Sequence, residues 1–288
     1  MSIKIVIDSG TDLNPHIIET CEIDVLPIDI STDEAVYSAD EISIDEMFAR
    51  QRAGETFRTA QVSQYIYETA FENYAKAGDE VIYLALSSGL SATCASAMKV
   101  AETVNAKYNG KIHVYDTLLA TFATGYMAWR ACALAKEGKS YEDIKKTLDF
   151  IRDHATAYFS VRSLEFLQRG GRVSKTEAIV GGLLNIRPML QITKDDGSLR
   201  VIDKARGDKA MMKKFVELFD PKALPCPVII SYGDDDTYAK KLKAHMMEAY
   251  HIPEEDIHFI QVGRIVGAHV GPEFLGLLSF DGKEEDYV

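Results

Sequence analysis

Short apolar runs alternate with segments of helical period along the first half of the chain, and no other feature narrows the fold as much. "IKIVID" (Ile3 to Asp8) and "EVIYLAL" (Glu80 to Leu86) are apolar at nearly every position, as expected of strands covered on both faces. "DVLPIDI" (Asp24 to Ile30) and "KIHVYD" (Lys111 to Asp116) read as further strands. Between them, "SIDEMFARQRAG" reads as a helix with Ser43 as N-cap, Glu46 three residues on and Gly54 closing it. "YIYETAFENYAKAG", "SATCASAMKVAETVNAKY", "FATGYMAWRACALAKEG" and "SYEDIKKTLDFIRDHA" follow as helices. Strand-helix alternation of this kind predicts an α/β fold with a mostly parallel sheet. Ligands of such sheets gather outside the carboxyl ends of the strands. Asp8-Ser9, Ser87-Ser88 and Asp116-Thr117 all fall there on this reading.

The second half changes texture. "TAYFSVRSLEFLQRGGRVSK" runs from a strand through a short helix to a glycine turn. "NIRPMLQITKDDGSLRVIDKARG" reads as two strands joined at Asp196-Gly197. Helix "DKAMMKKFVELF", strand "PVIISYG", helix "DTYAKKLKAHMMEAY", strand "IHFIQVG" and a glycine-spaced tail complete it. At 288 residues the chain has room for two α/β domains, here 1–157 and 158–288. No Pro/Ser-rich linker marks the boundary, so the halves are expected to pack closely.

Several chemistries are excluded. The formal net charge of −12 and the lack of a Lys/Arg cluster argue against a nucleic-acid partner. HExxH, zinc-spaced His/Cys runs and GxxxxGK[ST] are absent, so neither a metal site nor a nucleotide or other cofactor is implied. Cys21, Cys94, Cys132 and Cys226 form no CxxC pair and are expected to be isolated buried thiols of a cytoplasmic protein. The N-terminus reads as a strand and not a signal peptide. Arg130 interrupts the long apolar stretch Leu118 to Ala135, so a buried helix is expected there and no stable membrane insertion.

The segment "LALSSGLSATCASA" (Leu84 to Ala97) is the most informative. A buried strand stops at two serines and a glycine, and a small-residue helix begins. A helix start offers free N–H groups and the positive end of its dipole. Gly89 allows close backbone approach, and Ser88 and Ser91 add hydroxyls, an arrangement suited to a carboxylate or phosphate oxygen. Plain N-capping would use the same residues. "TAQVS" (Thr59 to Ser63), read as a polar loop, supplies a second hydroxyl from Thr59. In "VGRIVGAHVGPE" (Val262 to Glu273), glycines recur every four residues around His269, either a structural histidine or a partner to the same anion.

Taken in order, these stretches resemble the DegV family of bacterial fatty-acid-binding proteins over nearly the whole chain. "DSGTDL" is similar to the family's opening Asp-Ser…Asp-Leu signature, "TAQVS" to TSQPS, and "SSGLSATCASA" to SSGLSGTYQSA. "SLEFLQRGGRVS" is similar to LEYLxxGGRIS, "LLNIRPML" to LLNIKPIL, "ARG" to an Arg-Gly turn, and "VGAHVGPE" to IGxHxGPG. The resemblance implies one long-chain fatty acid, such as palmitate or oleate, in an apolar tunnel between two α/β domains. Its carboxylate would be held by Thr59, Ser88, Gly89 and Ser91, with His269 nearby. It further implies a carrier without catalytic residues that can present the acid to an ATP-dependent fatty acid kinase, with Arg206 and His269 at that encounter. Ala60, Val62, Ala92, Cys94 and Glu273 depart from the family pattern. Two other readings remain. One is a hydrolase or acyltransferase using Ser91 with His269, against which Thr93 stands where the nucleophile elbow needs glycine. The other is a small-anion binding protein.

Overall fold

The computed structural model describes residues 3–38, 41–174, 185–221 and 227–281. In the first half, β1 (Ile3–Asp8), β2 (Asp24–Leu26), β6 (Glu80–Ala85) and β7 (Lys111–Asp116) form a wholly parallel sheet in the order β2-β1-β6-β7. Helices α3 (Gln64–Ala77) and α4 (Thr93–Tyr108) pack on each other and against β6 and β7. Helix α5 (Thr121–Lys136) lies against β1 and pairs with α6 (Tyr141–His154). The expected ends of α2 (Ile44–Arg52) are present: Ser43 Oγ accepts from Glu46 N at its start, and Gly54 follows the C-cap Ala53 at φ +98°; Gly78 likewise closes α3 at φ +78°.

"DVLPIDI" is not one strand. Pro27, which has no N–H to give a ladder, separates β2 from β3 (Ile30–Ser31). Strand β3 joins β4 (Val36–Tyr37) and β5 (Arg58–Thr59) in a small antiparallel sheet, with Ile30 opposite Thr59. Thr59 therefore belongs to a strand and not to a loop.

The second half is built on a six-stranded mixed sheet. Its order is β10 (Leu199–Arg206), β9 (Ile186–Ile192), β8 (Ala155–Ser160), β13 (Leu275–Phe280), β11 (Val228–Tyr232), β12 (Ile257–Gln261). Strand β8 lies whole in this sheet, so a division at residue 157 falls inside it. Strand β13, hidden within the glycine-spaced tail, is buried at all six positions and pairs antiparallel with β8 and β11. Helices α8 (Asp208–Leu218) and α9 (Thr237–Tyr250) pack on each other around Met212, Phe215 and Leu242. The larger apolar core is continuous across both halves, joining Ile7 and Leu86 of the first to Phe159, Ile265 and Leu278 of the second.

The expectation of isolated thiols is corrected at one pair. Cys21, which caps α1 (Pro15–Thr20), is disulfide-bonded to Cys132 of α5, with Cα atoms 6.1 Å apart. Sequence spacing could not reveal this, because 111 residues separate the two and only the packing of α1 beside α5 brings them together. Cys94 is a buried free thiol; Cys226 lies outside the described residues, as do the first two residues of "LLNIRPML". Among the described residues no helix is long and apolar enough to cross a membrane, and no cluster of His, Cys, Asp or Glu could hold a metal ion.

Candidate functional site

The site is built from three segments far apart in sequence. Pairing of β5 with β3 fixes Thr59, whose neighbours Phe57 and Ile30 are buried. The second segment, α10 (Arg264–Val270), carries His269 in its last turn. Gln51 of α2 secures this helix by donating its side-chain amide to the carbonyls of Gly267 and Ala268, at 3.3 and 3.2 Å. At its other end Gly263 N donates to Asp12 Oδ1 at 2.9 Å. Thr59 Oγ1 and His269 Nε2 then meet at 2.8 Å.

His269 is buried, 9% exposed, and its Nδ1 has no partner. Burial, helped by the nearby charge of Arg172, lowers its pKa from 6.5 to about 4, so the ring is neutral at pH 7. A buried N–H without an acceptor is rarer than an unused acceptor, which places the proton on Nε2 and makes the ring donate to Thr59 Oγ1. The Thr59 proton is then available to the cavity. Room for the ring comes from Gly170, after α7 (Glu165–Arg169): a Cβ there would stand 2.2 Å from Nδ1.

The third segment is the serine turn, which is more internally bonded than the sequence suggests. Leu90 N and Ser91 N both donate to Ser87 O, Ser88 N donates to Asp116 Oδ1, and Gly89 N donates to Ser87 Oγ. Ser87 Oγ donates in turn to Gly197 O at 2.8 Å, across the interface between the halves. Gly89 is required by this docking, because a Cβ would lie 2.2 Å from Asp196 O. Ser88 and Gly89 are exposed and do not line the cavity described next. Ser91 does line it, with its Oγ 2.8 Å from Thr93 Oγ1.

Thr59, Ser91 and His269 border one cavity of about 70 Å³ between the halves, a thin slot with room for roughly five water-sized spheres. Ile28, Leu86, Leu90 and Phe122 come from the first half; Phe159, Ile192, Leu199, Ile265 and Phe274 come from the second. Polar groups in so apolar a lining are few, and two of them escaped the sequence reading. Arg172 is the cation among the lining residues; its Nε donates to Leu90 O at 3.2 Å and a guanidinium N–H donates to Gly170 O. Burial lowers its pKa, and no carboxylate among the described residues pairs with it. Its signal was present as the Arg that follows the glycine pair in "QRGGR". Thr121 also lines the slot, 5% exposed, with Oγ1 unpartnered and φ +53°; nothing in a threonine's identity announces that conformation. Arg206 is elsewhere, exposed at the end of β10 beside Lys209, Lys213 and His245 in a separate groove of about 710 Å³.

This arrangement offers an apolar slot bordered by hydroxyl and guanidinium donors. It does not pair Ser91 with His269, because His269 is bonded to Thr59 and Ser91 to Thr93. Comparison with known proteins bears on the same geometry. A DegV domain-containing protein of Streptococcus pyogenes is 32% identical over 281 residues, covering 96% of this chain and 97% of that one. A structure described as fatty acid binding of a DegV family protein from Thermus thermophilus matches at TM-score 0.86 with 29% identity, over 97% of this chain and 99% of that chain. DegV, a fatty acid binding protein from Bacillus subtilis, matches at TM-score 0.81 with 29% identity, over 98% of this chain and the whole of the other. The profile of the DegV family, whose members it describes as uncharacterised, matches residues 2–281, and the chain belongs to that family.

Proposed function

We propose that the protein binds one long-chain fatty acid in the interdomain slot, with the carboxylate received by Thr59, Ser91 and Arg172 and the acyl chain lying among the apolar residues of both halves. The observation that carries this reading is that Thr59, Ser91 and His269, from three separate segments, line one largely apolar cavity. The energetics suit a fatty acid. Burial contributes about 0.8 kcal/mol per methylene, so a dozen methylenes give roughly 10 kcal/mol before ordering costs. The head group needs only enough donors to keep a buried carboxylate from being unsatisfied. Of the same turn, Gly89 acts here with Ser87 by docking on the second half, and Ser88 is tied by its N–H to Asp116.

Protein purified from a bacterial host is expected to release a fatty acid on organic extraction, read by mass spectrometry, and the delipidated protein to take up palmitate or oleate. Ser91→Ala and Thr59→Val each remove one hydrogen bond to a charged group, and each should weaken palmitate by about tenfold. No extracted lipid and no uptake would defeat the proposal. A partner follows from the family resemblance: an ATP-dependent fatty acid kinase that phosphorylates the presented acid, with Arg206 on its docking surface. Arg206→Ala should leave palmitate affinity unchanged and abolish acyl-phosphate formation by such a kinase.

A further inference from the structure

Thr93 opens α4 and is wholly buried, yet it is not among the residues lining the slot. Its hydroxyl lies 2.8 Å from Ser91 Oγ, its hydrogen-bond partner among the described residues. A buried hydroxyl whose proton finds no acceptor loses its hydration for nothing in return, so the proton is directed at Ser91. The Thr93 amide also donates to Ser91 Oγ, at 3.2 Å. Both lone pairs of Ser91 are then occupied from behind, and its own proton is left for the cavity.

Thr93 is held in that position from below. The Tyr67 hydroxyl is 3.2 Å from the Thr93 carbonyl and 2.9 Å from the Tyr83 hydroxyl, which donates to the buried Asp8 at 3.0 Å. On Thr59 the His269 N–H takes one lone pair, and Arg172 can only donate. At Ser91, therefore, the slot meets a head group with a donor and no free lone pair.

We infer that Thr93 is a positioning residue that makes Ser91 an obligate donor, so that the slot takes the deprotonated carboxylate and rejects alcohols and amides of the same chain length. The inference rests on the fatty-acid reading and deepens it. A carboxylate has acceptors only and satisfies every donor. An alcohol or amide brings a proton of its own that finds no acceptor at Ser91, and a buried polar mismatch is what such sites reject most strongly.

The test is competition of palmitate and hexadecanol for the delipidated protein, in wild type, Thr93→Val and Thr93→Ser. Wild type should prefer palmitate. Thr93→Val frees a Ser91 lone pair for the alcohol, and the acid-to-alcohol preference should fall by about tenfold. Thr93→Ser should restore it, and in a Ser91→Ala background Thr93→Val should change the preference no further. Should Thr93→Val fail to fold, Thr93→Ala is read in the same way against Thr93→Ser. Equal loss of both ligands in the Val or Ala variant, or an unchanged preference, overturns the role of Thr93 while leaving fatty-acid binding intact. A wild type that binds neither ligand overturns both.

Discussion

His269 and Asp12 are buried titratable groups on either end of α10, and their pH effects have opposite signs. The folded state keeps His269 neutral down to about pH 4, whereas the unfolded chain takes up a proton near 6.5. The unfolded state then binds more protons between those values, so stability falls as pH drops through that window. The shift corresponds to roughly 3 kcal/mol at its limit. Thermal unfolding of wild type and His269→Gln from pH 7 to 4 should show the difference in their melting temperatures moving against wild type by several degrees. Asp12 behaves inversely. Burial raises its pKa from 3.8 to about 7, against the hydrogen bond from Gly263 N, and its Oδ2 has no partner. The stability that follows from its protonation is present at low pH and lost as pH rises through 7. Asp12→Asn keeps an acceptor for Gly263 N without the charge, so it should melt above wild type at pH 8, with the gap closing at pH 5.

At the scale of elements, the glycines show what each segment is doing. Gly89 lies on the Asp196-Gly197 turn, where a methyl group would collide with two backbone groups at 2.2 and 2.5 Å. Backbone yields less than a side-chain tip, so Gly89→Ala is expected to lose about 1–3 kcal/mol, read as a lower melting temperature, and to loosen the β9–β10 hairpin from the serine turn. Gly89 thus serves interdomain docking, which the sequence reading had assigned to ligand approach. The capped helices and parallel strands were legible because each is decided locally, by Ser43, Ser63, Gly78 and runs such as "IKIVID". What was not legible is decided by distant partners. Strand β5 exists because β3 lies beside it, β13 is central because β8 and β11 flank it, and Gly170 matters because His269 fills the space where its side chain would be. Glu273, a departure from the family motif, likewise gains its meaning at long range. It pairs at 3.2 Å with the buried Arg187, which also binds Asp208 at 2.7 Å. Thr59, Ser91 and His269 were legible as residues, and their meeting was expected only through the family resemblance.

At the scale of the whole molecule, the slot and the disulfide make separable contributions. The slot is walled by both halves, so a ligand that fills it should stabilise their contact by mass action, about 2.7 kcal/mol at a hundredfold excess over Kd. The Cys21–Cys132 bond closes a 111-residue separation in the first half alone, and a cross-link of that span contributes up to about 5 kcal/mol by restricting the unfolded chain. The slot-lining start of α5 is Thr121, and Cys132 lies eleven residues further along the helix, about 16 Å at 1.5 Å per residue. Breaking the bond should therefore alter stability without altering the site. Under a thiol reductant the melting temperature of wild type is expected to fall to that of Cys21→Ser, which should itself be insensitive to reductant. Palmitate affinity should agree within twofold across all three. A wild type whose melting temperature ignores reductant would remove the cross-link from the account, and an affinity that fell with reduction would show that α5 transmits strain to the slot along three turns of helix.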